Sequence, residues 1–119
     1  MQRGDIYMAD FAPRSGSEQS GLRPALLIST DLFNRRETWQ SLIVVPFSTS
    51  DAQAKRGPSA VLIPREPSGL RSDSVALCHQ VTTLDRSKFG ARIGCLSPEQ
   101  LSQVEQGLLI ALGMLQTSR

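Results

Sequence analysis

The sequence has 119 residues, of which 39% are hydrophobic and 20% are charged, and its formal net charge is +2. This length is enough to bury one core but is short for two domains of ordinary size, so we expect residues 1–119 to form a single domain. The weak positive charge does not by itself indicate a polyanionic partner.

The sequence has no apolar run of the roughly 20 residues that a membrane span needs, and its first residues lack the apolar stretch of a signal peptide. We therefore expect a soluble, cytoplasmic protein. Cys78 and Cys95 do not have the spacing of a zinc or redox motif, so we expect two free thiols that fill the core or its margin.

Short apolar runs bounded by glycine, proline and serine predict about six strands. In chain order they cover residues 5–11, 24–29, 42–47, 60–63, 74–81 and 91–95. Pro46 predicts an edge strand or a strand end in the third run, because proline cannot donate a hydrogen bond to a neighbouring strand. Short strands at this spacing are typical of a small barrel or sandwich.

The segments between these strands are mostly polar loops, at residues 14–22, 50–58 and 64–72, while residues 30–35 begin with capping residues and predict one helical turn. Near the C-terminus, Ser97 and Gln100 form a capping-box pattern that predicts a helix. Apolar residues then recur at spacings of three and four, which predicts one buried helix face. They are Leu101, Val104, Leu108, Leu112 and Leu115.

The residue types restrict the chemistry of any site. His79 is the only histidine, which excludes a two-histidine acid and base pair, and no cluster of carboxylates has the spacing of metal ligands. We therefore expect no metal and no other cofactor. Arg23 lies where a glycine-bearing loop meets a buried strand, and its guanidinium suits phosphate oxygens. Its high pKa favours electrostatic stabilisation over proton transfer, and an arginine paired with a carboxylate is the alternative.

Four further side chains are candidates for the same site. Ser48 and Thr49 follow the third strand, where a hydroxyl can bind a phosphate or orient a nucleophile, although both are also ordinary turn residues. Glu18 is the only carboxylate of the first loop and can act as a base, orient Arg23 or remain solvated. His79 can serve as an acid near neutral pH or be structural.

An ordered set of motifs resembles the MazF/PemK toxins over almost the whole chain. The matching segments are Arg3-Gly4-Asp5-Ile6-Tyr7, Gly16-Ser17-Glu18-Gln19-Ser20-Gly21-Leu22-Arg23-Pro24, Asp31-Leu32-Phe33-Asn34, Asp73-Ser74-Val75 through Gln80, and Thr83-Leu84-Asp85. The resemblance implies a small SH3-like barrel of the CcdB/PemK type, mainly β with a C-terminal helix, that assembles as a homodimer.

The same resemblance implies a toxin that cleaves single-stranded mRNA at specific sequences without a metal, leaving 2′,3′-cyclic phosphate and 5′-hydroxyl ends. It also implies a MazE-like antitoxin with an acidic C-terminal segment. The catalytic arginine of the family is matched by Arg23 and its catalytic threonine by Ser48, with Thr49 as the alternative hydroxyl. His79 and Thr82 stand where the family commonly has an acidic residue and an arginine.

The resemblance and the basic loops together predict a set of RNA contacts outside the catalytic residues. They are Arg14, Ser17, Gln19, Asn34, Lys55, Arg56, Arg71 and Gln80.

Two other functions are compatible with the same fold. A CcdB-like toxin inhibits DNA gyrase, but its key contacts lie on the C-terminal helix and this chain lacks the matching tryptophan there. A non-catalytic SH3-like binding module would bind a ligand without cleaving it.

Overall fold

The structure is a computed structural model that describes residues 1–12, 16, 21–55 and 57–116. These residues form a mainly β fold with one long helix. The strands are β1 (Asp5–Asp10), β2 (Leu22–Leu27), β3 (Ser41–Ser48), β4 (Ala60–Ile63), β5 (Ser74–Leu77), β6 (Thr82–Asp85) and β7 (Phe89–Cys95). The helices are α1 (Asp31–Asn34), α2 (Asp51–Ala54), α3 (Arg65–Ser68) and α4 (Pro98–Ala111), and Cys78–Gln80 and Arg86–Lys88 form 3-10 turns.

All the strand pairs are antiparallel and follow the order β4-β5-β3-β2-β1-β7, with β6 also paired to β3. Within the described residues β4 and β7 each have one neighbour, so the sheet does not close into a complete barrel. The predicted class, mainly β with a C-terminal helix, is confirmed, and the sheet has seven strands where we predicted about six.

The position of Pro46 corrects the prediction of an edge or a strand end. β3 is central, and Pro46 lies inside it, in register with Ala25 of β2. On its other side β3 pairs with β6 as far as Val44 and with β5 from Phe47 onwards. Proline is tolerated here because it falls where neither β6 nor β5 is paired.

The strand predicted over residues 74–81 is also corrected. β5 ends at Leu77, and the 3-10 turn Cys78–Gln80 redirects the chain into β6. This turn packs against α4. The predicted strand therefore spans a buried strand and a turn of which only Cys78 is buried, a boundary that periodicity alone cannot resolve.

The prediction of one helical turn over residues 30–35 is confirmed by α1, whose cap Thr30 accepts a hydrogen bond from the amide of Leu32. The predicted loop at residues 50–58 also contains a helical turn, α2, and the loop at residues 64–72 contains the short segment α3, in which Glu66 and Pro67 do not have helical backbone angles.

Helix α4 begins as predicted, since Ser97 and Gln100 form both hydrogen bonds of the capping box. Its apolar face packs on the sheet through residues that include Val104, which is fully buried. Leu112 and Leu115 lie beyond the helix end and are exposed, so the apolar face is shorter than predicted.

The buried apolar residues form two clusters, and the cysteines divide between the core and the surface. Cys78 is buried in the larger cluster, where burial raises the pKa of its thiol to about 12. Cys95 is exposed and ends β7, which within the described residues is an edge strand paired with β1. The prediction of a core or near-core position is therefore correct for Cys78 and wrong for Cys95. No helix in the described part of the chain is long and apolar enough to cross a membrane.

Candidate active site

A cleft opens where β2 begins and β3 ends. The two strands are antiparallel neighbours with Ala25 opposite Pro46, so the start of β2 lies beside the end of β3. The cleft has a volume of about 190 Å³. It is lined by Leu22, Arg23, Pro24, Phe47, Ser48, Thr49 and Ser74. Antiparallel pairing therefore places the Arg23 guanidinium and the hydroxyls of Ser48 and Thr49 in the same cleft, although they are about 25 residues apart in the sequence.

The Arg23 guanidinium is held at the wall of this cleft. Its Nη1 donates a hydrogen bond to the carbonyl oxygen of Phe47 at 3.3 Å, which ties the side chain to the end of β3. Partial burial lowers the pKa of the guanidinium, but an arginine remains a cation at neutral pH. A partly desolvated cation with several donors can bind an anionic group more strongly than an exposed one.

The two candidate hydroxyls differ in how firmly they are held. Ser48 is only 8% exposed, and its Oγ accepts a hydrogen bond of 3.1 Å from the amide of Ser50. Thr49 is exposed. Because the backbone fixes the Ser48 oxygen and the same hydroxyl can still donate, Ser48 is the better oriented of the two.

Ser74, the first residue of β5, is a lining residue that sequence reasoning did not select. It is 4% exposed, and its hydroxyl donates a hydrogen bond of 2.8 Å to the carbonyl of Ser72. Ser74 reaches the cleft because β5 pairs with the end of β3, where Val75 lies opposite Ser48. The only sequence signal for Ser74 is its place in the Asp73-Ser74-Val75 motif, which matches the toxin family.

Comparison with known proteins decides the family. Residues 2–112 match the family model described as "PemK-like, MazF-like toxin of type II toxin-antitoxin system". The chain belongs to this family. The recognition made from the sequence motifs is thus confirmed.

Individual relatives of this PemK-like toxin agree in sequence and in fold. The chain is 35% identical to Endoribonuclease EndoA of Bacillus subtilis over 115 residues, which cover 97% of each protein. It is similar to the crystal structure of MazF from Deinococcus radiodurans, with a TM-score of 0.77, 28% identity and coverage of 96% and 97% of the two chains. A chain of a MazE-MazF structure from the same organism matches with a TM-score of 0.72, 28% identity and coverage of 97% of each chain.

Not every site residue predicted from the sequence of this toxin lies in the cleft. His79 and Gln80 lie in the 3-10 turn between β5 and β6, and neither is among the described residues that line the cleft. Lys55 follows α2 and Arg71 lies between α3 and β5, and both are exposed outside the lining.

Asn34 is the last residue of α1, which lies at the end of β2 away from the cleft. It is 2% exposed, and its amide donates to the carbonyl of Ser29 at 2.8 Å and to a carboxylate oxygen of Asp31 at 3.0 Å. Its amide oxygen accepts a hydrogen bond of 2.6 Å from the Ser29 hydroxyl. These contacts give Asn34 a structural role and do not favour the RNA contact predicted for it.

Five candidates of the toxin lie outside the described residues: Arg14, Ser17, Glu18, Gln19 and Arg56. Within residues 1–12, 16, 21–55 and 57–116, no group of three histidine, cysteine, aspartate or glutamate side chains is placed to hold a metal ion.

Proposed function

We propose that this toxin is an endoribonuclease that cleaves single-stranded mRNA at specific sequences without a metal. In the reaction the 2′-oxygen of a ribose attacks the adjacent phosphorus and the bond to the 5′-oxygen breaks. The products carry 2′,3′-cyclic phosphate and 5′-hydroxyl ends. Family membership and the likeness to an endoribonuclease support this function. The observation that carries it is the pairing of Arg23 with Ser48 in one cleft.

Arg23 is the proposed electrostatic catalyst. Negative charge grows on the phosphate oxygens as the phosphorane forms, and a cation already fixed at that place stabilises the transition state without having to reorganise. The hydrogen bond to Phe47 supplies this fixation. Proton transfer by Arg23 is the lesser role because its neutral form is scarce.

Ser48 is the proposed catalytic hydroxyl. Its Oγ accepts from the Ser50 amide, so its own proton can be donated to a phosphate oxygen. Thr49 is the alternative hydroxyl, since it also lines the cleft. For proton transfer, Glu18 remains the proposed base or the partner that orients Arg23, and His79 remains a candidate acid.

The surrounding loops are the proposed RNA-binding elements. Lys55 and Arg71 are exposed cations on two of them, and Gln80 lies in the turn that follows β5. The same role is proposed for Arg14, Ser17, Gln19 and Arg56. Basic loops of this kind place the RNA backbone, while base contacts set the sequence preference.

We also propose that an antitoxin inhibits the enzyme, that residues 1–119 form one toxin domain acting as a homodimer, and that it acts in the cytoplasm. The family description names a toxin-antitoxin system, and a related chain comes from a MazE-MazF structure. An acidic, disordered antitoxin tail would compete with RNA for the same cations. Sedimentation at micromolar concentration should give twice the chain mass.

The test uses purified protein and a long single-stranded RNA in excess EDTA, with mapping of the cut ends. We expect discrete cuts with 5′-hydroxyl ends, and a rate at least about 100-fold lower for Arg23→Ala. Arg65→Ala, which removes an exposed cation outside the cleft lining, is the matched control and should cleave normally.

Two results would contradict the proposal. Intact RNA that is nevertheless bound would favour a non-catalytic module. Inhibition of DNA gyrase with intact RNA would favour a CcdB-like toxin.

A further inference from the structure

A pair of stacked aromatic rings lies near the far end of β2 and β3 from the cleft. The rings of Phe33 and Trp39 have centroids 4.0 Å apart and an interplanar angle of 8°. Phe33 is the inner ring, because it packs against the smaller core cluster. Trp39 is the outer ring and is 37% exposed, and it is the single tryptophan of the sequence.

The outer ring is fixed before any ligand binds. The indole Nε1 of Trp39 donates a hydrogen bond of 2.7 Å to the carbonyl of Ser41. Stacking on Phe33 fixes the plane of the ring. A ring held in this way loses little conformational freedom when a ligand stacks on it.

Arg86 fixes the backbone that carries this ring. Its guanidinium donates to four carbonyl oxygens of the segment after β2, at 2.9 to 3.3 Å. The acceptors are Phe33, Asn34, Arg36 and Trp39. The Arg86 guanidinium therefore holds the turn between α1 and β3 closed, which keeps the two rings stacked.

Two exposed arginines lie in the segment between Phe33 and Trp39. Arg35 and Arg36 are exposed and line a groove of about 420 Å³. The acidic groups here include Asp31, Glu37 and Asp85, the last of which lies opposite Ser41 at the start of β3. Asp31 accepts the amide of Arg3 at 2.7 Å and lies 3.8 Å from Arg35, and these contacts lower the pKa of its carboxyl.

This juxtaposition favours one ligand class. The guanidinium of Arg86 is used in hydrogen bonds to the backbone, so Arg35 and Arg36 are the exposed cations of the segment that leads to Trp39. A flat, rigid π face beside cations matches a nucleobase with its phosphates.

We propose that Trp39 is a stacking site for a base of single-stranded RNA bound outside the cleft. The proposal rests on the proposed RNA substrate and extends the binding surface to the other end of the strands that carry Arg23 and Ser48. Four residue steps of β2, from Arg23 to Leu27, already span about 13 Å. The stacked base is therefore several nucleotides distant from the scissile phosphate.

The direct test uses the fluorescence of Trp39 in the wild-type protein. A 2′-O-methyl oligoribonucleotide of about 12 residues is the probe, because it lacks the nucleophile and stays intact. We expect saturable quenching and protection of Trp39 from acrylamide. An oligomer of equal charge with abasic positions should bind without this quenching. Equal quenching by the two oligomers, or none by either, would overturn the stacking site.

A second measurement uses variants and RNA length. Because stacking on an aromatic side chain contributes about 1 to 3 kcal/mol per base, Trp39→Ala should weaken binding of the 12-residue oligomer about fivefold or more. A trinucleotide that fills only the cleft should bind as before, and Trp39→Phe should retain most of the affinity. Leu62→Ala, at another exposed apolar side chain, is the control and should leave the affinity for both RNA lengths unchanged.

The outcomes separate this inference from the proposed function. If the wild-type protein cleaves RNA but Trp39→Ala binds both lengths normally, the stacking site is wrong and the ribonuclease stands. If RNA is neither bound nor cleaved, both are wrong. Quenching of Trp39 by an acidic peptide and not by RNA would assign the surface to a protein partner and overturn the proposal.

Discussion

The two ends of the β2 and β3 pair use polar side chains in opposite ways. At the α1 end, Asn34 is 2% exposed and its amide binds Ser29 and Asp31 inside the protein. At the other end, Arg23 and Ser48 line an open cleft, and each is anchored by a contact to β3 or to the residues that follow it. The first arrangement closes a turn, and the second presents anchored donors to a ligand.

This difference shows why a family motif does not separate structure from function. Asn34 and Arg23 belong to neighbouring matched segments, and the sequence predicts an RNA contact for Asn34 and a catalytic role for Arg23. Only burial and hydrogen-bond partners distinguish an amide that holds a turn from a guanidinium that faces a cleft. The following experiments test whether the two ends are as distinct as this comparison requires.

The largest effect is expected at the cleft. Ser48→Ala should lower kcat about 100-fold with little change in KM, because the lost hydroxyl acts on the transition state. Thr49→Ala is the matched control and should stay within a few fold of the wild type. Steady-state cleavage of a fluorogenic RNA measures both, and the opposite ranking would assign the hydroxyl role to Thr49.

A smaller effect, on folding stability, is expected at the α1 end of the β2 and β3 pair. Asn34→Ala should lower the free energy of unfolding by about 2 to 3 kcal/mol, since it leaves buried partners unpaired. Urea unfolding measures this loss, with Gln40→Ala as an exposed control. The cleavage rate per folded molecule should not change. Unaltered stability with weakened RNA binding would show that Asn34 contacts the substrate.

The smallest effect concerns acid stability at α1. Hydrogen bonds from the Arg3 amide and Asn34 lower the pKa of Asp31 in the folded state. Its carboxylate therefore stabilises the fold above the unfolded pKa of about 3.9, and this contribution is lost as the pH falls through the lower folded value. The contribution is less than about 1 kcal/mol, because the side chain is 37% exposed.

Asp31→Asn should accordingly flatten the fall of the unfolding free energy below about pH 4. Glu37→Gln, at an exposed position nearby, should leave that slope unchanged. A slope in Asp31→Asn equal to that of the wild type would mean that the contacts of Asp31 do not stabilise the folded state.

Local patterns predicted much of the fold. The capping box gave the start of α4, and the apolar runs gave the approximate strand positions, because both signals depend on nearest neighbours. The 3-10 turn Cys78–Gln80, which packs against α4, and the central place of Pro46 depend on elements distant in sequence. No periodic signal encodes such pairings, so these two features were misassigned.

The candidate site was predictable only in part for the same reason. Arg23 and Ser48 were selected from motifs and strand ends, and the register of β2 with β3 then brings them together. Ser74 depends on the pairing of β5 with β3, and the Phe33 and Trp39 stack forms across an irregular turn. Neither follows from spacing in the sequence.

Pro46 has one more consequence for the folded chain. Between the last residue paired with β6 and the first paired with β5, Val45 and Pro46 have no paired strand on that side of β3 among the described residues, and both are buried. A buried amide that faced such a gap would cost free energy unless another group accepted its hydrogen bond. Pro46 has no N–H to satisfy, so proline suits the point where the sheet branches.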